Sequence, residues 1–220
     1  DLVIDNNANI TADGIYKNQI EEYNFTLRAK NISSELINHY LKDENLAKVN
    51  GDLNFDLNIS GKGFNKENLN ALGEVEVKTA NLGKLYSELW LGRENLIIDQ
   101  GLWSIKDNYL NFGGEIDFAN KNYDLELSSE EFALNSLNDF TIFLNKDRKD
   151  ILTDLKAKVK FSAQLKDDFN SPNLLADISL AKLSYNNIKV DKIESAVNYK
   201  NKNLNLDNIV LKDDSSEAKG

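Results

Sequence analysis

The chain has 220 residues, a formal net charge of −10 and a hydrophobic share of 41%. The excess of carboxylates argues against a nucleic-acid partner, because phosphates need a basic surface. The absence of cysteine excludes disulfides and thiolate metal sites, and no apolar run approaches the roughly 18 residues of a membrane span. Because the sequence contains no Met, we expect it to be a fragment of a longer protein, with any membrane anchor outside it.

Alternation of apolar and polar residues is the dominant pattern along the chain. In residues 51–63, GDLNFDLNISGKG, every second residue from Leu53 to Ile59 is apolar, which predicts a β-strand with one dry and one wet face. Turn-forming Asn, Gly, Asp and Lys separate such runs. The alternation returns in GEVEVKT, NYLNFGGEIDFANK, NYDLELS, LKAKVKFSAQLK, LADISLAKL and NLNLDNIVLK. The spacing does not fit parallel βαβ units, so we expect an antiparallel meander.

Two stretches depart from strand alternation and predict short amphipathic helices. ISSELINHYLKDENL begins at Ile32 with a serine that can cap a helix, and FALNSLNDFTIFLNK begins at Phe132. We expect both helices to lie at the ends of a sheet.

The sequence also repeats internally. A shift of 100 places Gly14 on Gly114, Tyr23 on Tyr123 and Ile32 on Phe132. A shift of 106 lays VNGDLNFDLNIS over LKAKVKFSAQLK, so that Phe55 meets Phe161, and a shift of 103 lays GEVEV over ADISL. We therefore expect residues 1–220 to form a single elongated β domain made of about two out-of-phase repeats, approximately 1–105 and 106–220.

A catalytic or metal centre is not predicted. His39 is the only histidine, and Asp5 and Asp13 lack the spacing of a calcium loop. Glu130 and Glu131 are adjacent, so on a strand they face opposite sides. The glycine pairs do not fit a phosphate-binding motif, and the tryptophans and tyrosines are expected to pack in the core rather than to bind sugar. We expect no enzyme activity, no cofactor and no metal.

Residues 32–83 resemble a repeat of the AsmA-like and TamB family of double-membrane bacteria. In that repeat a short helix precedes G-x-L-x-x-x-L-x-x-x-G, a short excursion that often contains Asn-Pro, and a glycine-led strand. In this chain the motif residues are Gly51, Leu53, Leu57, Gly61, Gly73, Val75 and Val77. Asn65-Lys66 stands where Asn-Pro is common. The second copy has Pro172 at that place but carries Ala157, Asp167 and Ala176 instead of the glycines.

This resemblance implies a fold class and a location. The fold would be mainly β: a repetitive antiparallel sheet curved into a trough, open and jelly-roll-like, with an apolar concave face and one or two short helices. The full-length protein would be anchored in the inner membrane and cross the periplasm. Its implied partners are phospholipid acyl chains, an outer-membrane assembly factor of the Omp85 class and adjacent repeats of the same chain.

The resulting hypothesis is a non-enzymatic conduit that carries phospholipid acyl chains along an apolar groove between the two membranes. Alternatives are an ordinary sandwich core without ligand, a chaperone or scaffold module that pairs with strands of outer-membrane proteins, and an extracellular adhesin repeat. The predicted groove lining is Leu53, Phe55, Leu57, Ile59, Val75, Val77, Leu110, Phe112, Ile116, Phe118, Val159, Phe161, Leu165, Ile178 and Leu180.

Overall fold

A computed structural model describes residues 2–3, 8–34, 50–63, 68–80, 82–136, 155–168, 171–185, 188–213 and 216–220. These residues form 14 strands, whose order in the sheet is their order in the chain. The strands are β1 Leu2–Val3, β2 Asn9–Lys17, β3 Glu22–Ser33, β4 Gly51–Lys62, β5 Asn70–Thr79, β6 Gly83–Leu91, β7 Asn95–Ile105, β8 Asn108–Asp117, β9 Asn122–Ala133, β10 Lys156–Asp168, β11 Asn173–Tyr185, β12 Ile188–Lys200, β13 Asn203–Asp213 and β14 Ser216–Lys219.

The architecture is mainly β with antiparallel pairing, which confirms the predicted fold class. Two compact units are present: Asp1–Leu102 with Glu115–Ala119, and Trp103–Gly114 with Asn120–Gly220. Unit 1 contains the antiparallel ladder from β1 to β6, and unit 2 contains the ladder from β9 to β14. Alternating sequences form these strands because every second side chain can be shielded while the backbone is paired on both sides.

The 100-residue offset of the sequence recurs in the strand bounds. Strands β3 and β9 begin at Glu22 and Asn122 and end at Ser33 and Ala133. The residue before each strand, Glu21 and Lys121, has a positive φ of 55° and 56°. Each strand also carries a register shift in the same place, which for β3 falls between Ala29 and Ile32. The corresponding shift in β9 falls between Ser129 and Phe132. Both units therefore share a strand plan that includes its β-bulge.

The buried core is small in each unit. In unit 1, Ala8, Ala29 and Ile32 form a buried cluster against which Leu53 and Phe55 pack.

In unit 2, Ile105 is 1% and Phe132 is 4% exposed, and the ring centroids of Trp103 and Phe132 lie 6.1 Å apart. The Asn108 side chain is hydrogen-bonded at both ends. Its Nδ2 donates to the Ser136 hydroxyl (2.6 Å), and its Oδ1 accepts a hydrogen bond from the Ala133 amide (2.6 Å). A buried amide side chain is tolerated there because both of its ends are hydrogen-bonded.

The first residues of the two stretches predicted as helices belong to strands. Ile32 lies in β3 and Phe132 in β9, because cross-strand pairing with Leu53 and Val159 continues the ladders through both residues. Helical geometry is found at Ser34 and in a 3-10 turn at residues 134–136. The remainder of both helix predictions falls on residues 35–49 and 137–154, outside the described residues.

Gly114 provides a test of the sheet geometry. Its φ is +127°, and a Cβ at this position would lie 2.1 Å from the Asp124 carbonyl oxygen. Gly114→Ala is therefore expected to lower the free energy of unfolding by about 2 kcal/mol, because the added methyl group and the unfavourable φ both force the strand to shift.

Chemical denaturation of the variant measures this loss. Gly220→Ala is the matched control, since a Cβ there meets nothing within 4 Å. Equal stability of the two variants would contradict the β8 backbone described here.

Candidate functional site: an apolar sheet face in each unit

The registers of unit 1 align apolar side chains of four strands into continuous rows. Direct cross-strand partners have Cβ atoms about 5 Å apart and share one face of the sheet. Taken from β3 to β6, the four rows of this apolar face are Phe25–Ile59–Ala71–Leu91, Leu27–Leu57–Gly73–Leu89, Ala29–Phe55–Val75–Ser87 and Ile32–Leu53–Val77–Leu85.

Unit 2 carries an equivalent apolar face on β9 to β12. Its rows are Leu125–Leu165–Leu174–Tyr199, Leu127–Ala163–Ala176–Val197, Ser129–Phe161–Ile178–Ser195 and Phe132–Val159–Leu180–Ile193. Phe161 occupies the place of Phe55, and Ser195 that of Ser87. Each row of the unit 1 face thus has a corresponding row in the unit 2 face.

Eleven of the predicted lining residues lie on these two faces, and unit by unit they are side by side. Leu53, Phe55, Leu57, Ile59, Val75 and Val77 share the face of unit 1, and Val159, Phe161, Leu165, Ile178 and Leu180 share the face of unit 2.

The other four predicted residues come from β8 or its end. Leu110 and Phe112 alternate along β8 in unit 2, and Ile116 lies in the part of β8 that belongs to unit 1. Phe118 follows the strand in a turn, where its amide donates to the Glu94 carbonyl (2.6 Å).

Sequence reasoning missed the contributions of β3 and β6 in unit 1. Leu27 and Phe25 follow the same alternation as Leu57, so the signal for β3 was present in YNFTLRAK. Strand β6 reads KLYSELWL, in which Tyr86 and Trp90 place large aromatic residues on the opposite face. The apolar alternation of β6 is therefore hidden, and only the register with β5 reveals it.

Partial exposure distinguishes these faces from an ordinary core. The predicted lining residues are half-buried, except that Val159 is buried at 8% and Phe118 is 46% exposed. Large apolar side chains between two packed sheets are normally almost completely buried. Further apolar surface is exposed on β13, where Leu204 is 61% and Leu206 51% exposed. Apolar surface of this kind is available for contact with another molecule.

Hydroxyl groups on the apolar faces are bonded to the protein's own backbone. Ser129 is 3% exposed, and its Oγ donates to the Tyr109 carbonyl at 2.7 Å. Ser195 Oγ lies 3.1 Å from the carbonyl oxygens of Ala196 and Asp207, and Ser87 Oγ lies 3.4 Å from that of Glu88. Because their donors are occupied internally, these serines leave the faces apolar in character.

The opposite face of unit 1 is covered by a polar network. Arg28 Nε donates to Asp56 Oδ2 at 2.9 Å, and Thr26 Oγ1 donates to Asn58 Oδ1 at 2.9 Å. Shallow depressions open on this side, one of them beside Arg28 and Asn54. The sheet of unit 1 therefore has one apolar face and one polar face.

Glu76 is the most strongly perturbed group of this network. Partial burial raises the pKa of its carboxyl, but ion pairs with Lys78 and Lys84 outweigh burial and lower the pKa from 4.5 to about 2. Glu76 also accepts from Asn54 Nδ2 at 3.1 Å. Next to it, burial and the Glu88 carboxylate raise the pKa of Tyr86 to about 12, so that this phenol stays neutral.

The polar face of unit 2 is built in the same way. Lys158 pairs with Glu131 and Lys160 with Glu130, while Gln164 Nε2 donates to Asp124 Oδ1 at 2.8 Å. The Lys158 ion pair lowers the pKa of the Glu131 carboxyl. The adjacent glutamates thus both pair with lysines of the neighbouring strand. The expectation that they face opposite sides is wrong, because the bulge between Ser129 and Phe132 interrupts the alternation at these two residues.

Within the described ranges, no group of three or more His, Cys, Asp or Glu side chains is placed to hold a metal ion. No helix among these residues is long and apolar enough to cross a bilayer. His39 and Asp5 lie outside the described residues, and Asp13 is an exposed residue of β2.

The lowered pKa of Glu76 predicts a contribution to stability that depends on pH. Since the folded-state pKa lies below that of the unfolded chain, the contribution is complete above about pH 4.5 and is lost as the pH falls toward 2. Glu76→Gln is expected to lower the free energy of unfolding at pH 7 by about 1 kcal/mol, after allowance for solvent screening of the exposed lysines.

Denaturation curves at several pH values measure this difference, which should vanish near pH 2. Glu94→Gln is the control because the Glu94 side chain is 60% exposed beside Arg93. A difference between wild type and Glu76→Gln that is the same at every pH would refute the assignment.

Comparison with known proteins gives no relative of this chain. No protein-family model, no curated protein and no solved structure matches the chain. The function must therefore be argued from the two apolar faces themselves.

Proposed function

We propose that the chain is a segment of a bridge-like lipid-transport protein and that its apolar faces hold phospholipid acyl chains. The observation that carries the proposal is the pair of equivalent faces, each with four rows of mostly apolar side chains, most of them half-buried. A repeated face of one chemistry suits a long, repetitive ligand better than a compact ligand with a single binding site.

The energetics of such contact favour binding without a fixed position. An acyl chain gains roughly 0.8 kcal/mol for each CH₂ group removed from water, and this gain has no directional requirement. The serines within the rows donate to backbone carbonyls, so they offer no strong hydrogen bond that would hold a headgroup. A lipid on this surface can therefore move from row to row at small cost.

The polar faces support the same proposal. Arg28 and Asp56 in unit 1, and Lys158 and Glu131 in unit 2, are paired within the sheet. This face stays hydrated while the other face meets hydrocarbon, as expected for a strand with alternating side chains.

The wider context follows from the sequence resemblance to the AsmA-like and TamB family. We propose a location in the periplasm, within a full-length protein anchored to the inner membrane. The proposed partners are adjacent repeats of the same chain and an outer-membrane assembly factor of the Omp85 class. The proposed role is transport between the membranes without chemical change, so the protein is not proposed to be an enzyme.

A photoreactive phenylalanine analogue placed at Phe55 or Phe161 tests for direct lipid contact. In diderm cells, irradiation is expected to crosslink phospholipid at both positions, and mass spectrometry of the purified protein detects the adduct. Asn58 and Ser162 are the matched control positions, because their side chains lie on the opposite face of the same strands. Equal adduct yields from the two faces would refute the proposal.

Substitution on the face tests the energetic argument. Leu57→Asp places a charge between Leu27 and Gly73 and is expected to reduce co-purified phospholipid roughly tenfold, since a loss of about 1.4 kcal/mol corresponds to that factor. Asn58→Asp adds the same charge to the polar face of the same strand and is expected to leave the lipid content unchanged.

Far-UV circular dichroism and thermal unfolding establish whether both variants fold. Should Leu57→Asp fail to fold, Leu57→Ser is used, for which a loss in the same direction is expected. A folded wild-type protein that carries no phospholipid after purification from diderm cells would overturn the proposed function.

A further inference from the structure

The polar face of unit 2 carries an open depression beside the bulge of β9. Its volume is about 590 Å³, which is within the size range of small-molecule sites. Three hydroxyl groups and one carboxylate line it, from Ser128 on β9, Ser162 on β10, and Asp177 and Ser179 on β11. We call this site the hydroxyl depression.

The strand registers bring these four groups next to one another. Ser162 pairs directly with Ser128 on one side and with Asp177 on the other, so these three side chains form one cross-strand row. Direct partners in such a row have Cβ atoms about 5 Å apart. Ser179 lies two residues beyond Asp177 on the same face of β11. One ligand can therefore contact all four groups at the same time.

The four side chains are available for binding. Among the residues that the structure describes, none of them has a hydrogen-bond or ion-pair partner. Ser162 and Asp177 are exposed, and Ser128 and Ser179 are half-buried. The depression therefore offers three free hydroxyl groups and one free carboxylate.

The lysines that line the depression are already neutralised. Lys160 pairs with Glu130, and Lys192 Nζ lies 2.7 Å from Glu194 Oε1. Asp177 is the charged lining residue that such a pair leaves out within the described chain. The depression consequently has no free positive charge that would attract an anion.

The corresponding place in unit 1 has the same strand plan but satisfied side chains. A depression of about 380 Å³ lies there beside the bulge of β3. The positions of Ser128 and Ser162 are occupied by Arg28 and Asp56, which form an ion pair at 2.9 Å. Unit 1 thus fills this part of the row with an internal contact, whereas unit 2 leaves it open.

The unpaired groups of unit 2 determine the class of ligand. A serine hydroxyl donates one hydrogen bond and also accepts, whereas a carboxylate only accepts. A phosphodiester accepts without donating and would be repelled by Asp177. An ammonium group donates without accepting and would leave the serine donors unpaired. A sugar hydroxyl both donates and accepts, so a polyhydroxylated ring can satisfy all four groups.

An exposed leucine adds an apolar contact beside the hydroxyl depression. Leu175 is 40% exposed and precedes Asp177 by two residues on the same face of β11, which is a distance of about 7 Å. Leu72, its counterpart in unit 1, is 57% exposed on the otherwise polar face. A sugar ring presents C–H groups on its faces and hydroxyl groups at its rim. A ring over Leu175 would therefore direct hydroxyl groups toward Asp177.

We propose that the hydroxyl depression binds a neutral saccharide. Asp177 accepts hydrogen bonds from ring hydroxyl groups, Ser128 and Ser162 donate to and accept from the same ring, and Leu175 contacts its C–H face. The proposal does not rest on lipid binding, because the depression lies on the polar face of the sheet. Since the site is open to water, we expect a dissociation constant of about 1 mM.

Titration calorimetry with neutral hexasaccharides of glucose, mannose, galactose and N-acetylglucosamine tests the proposal. At least one of them is expected to bind. Spermidine and dimethyl phosphate are the cationic and anionic probes, and both are expected to bind roughly tenfold more weakly than that saccharide. The proposal is overturned when no hexasaccharide binds at about 10 mM, or when spermidine or dimethyl phosphate binds more tightly than all four.

Substitution of Asp177 tests the role of the carboxylate. Asp177→Asn keeps the size of the side chain but removes its charge, and is expected to weaken saccharide binding roughly tenfold because charge-assisted hydrogen bonds are lost. Asp13→Asn is the matched control, since Asp13 is an exposed strand carboxylate that lines neither depression. An equal loss of affinity in the two variants would argue against the site, as would an unchanged affinity of Asp177→Asn.

A steric block tests the location without relying on charge. Ser162→Phe places a large side chain in the middle of the row and is expected to abolish saccharide binding. Aromatic residues are favourable in strands, so the variant is expected to fold, and far-UV circular dichroism checks this. A folded Ser162→Phe protein that binds the saccharide as tightly as wild type would overturn the proposal.

Discussion

The hydrogen-bonded register between neighbouring strands is the constraint on which the rest of this structure depends. Side chains alternate with a period of two, so a slip of one residue would move every apolar side chain of a strand to the polar face. The rows through Leu57 and Ala163 exist because four consecutive strands keep matching registers. Where β3 passes from Ala29 to Ile32, the bulge inserts one extra residue, and Ile32 is thereby returned to the apolar face.

The same arrangement of rows occurs in both units. The bulge of β3 recurs in β9, and Phe55 and Ser87 have their counterparts in Phe161 and Ser195. The identities of the side chains vary more than their character, since Leu57 is matched by Ala163 and Gly73 by Ala176. Both units keep the apolar character of each row rather than particular side-chain contacts. Such a surface suits a partner without directional groups.

The two faces of the sheet differ in their interactions: one carries ion pairs, and the other carries half-exposed apolar side chains. On the polar face, ion pairs such as Lys84–Glu76 and Arg28–Asp56 join neighbouring strands. Pairs at such exposed positions contribute little each, so most of the stability must come from the backbone ladder and from the small buried clusters around Ile32 and Phe132. The apolar face can then remain half-exposed without loss of the fold.

The sequence alone determined the strand class, the amphipathic alternation and the 100-residue offset, because these depend on local periodicity and on comparison of the chain with itself. It also placed residues such as Phe55 and Ile59 on one face of their strand, since alternation within a strand is a local property. It could not determine that Leu89 and Leu27 complete the rows, because that depends on pairing between strands distant in the chain. Nor could it show that β3 and β9 continue through Ile32 and Phe132, the first residues of the two stretches predicted as helices. Tertiary structure decided these cases, because cross-strand hydrogen bonds and burial against Leu53 and Val159 outweigh local helical preference at both residues.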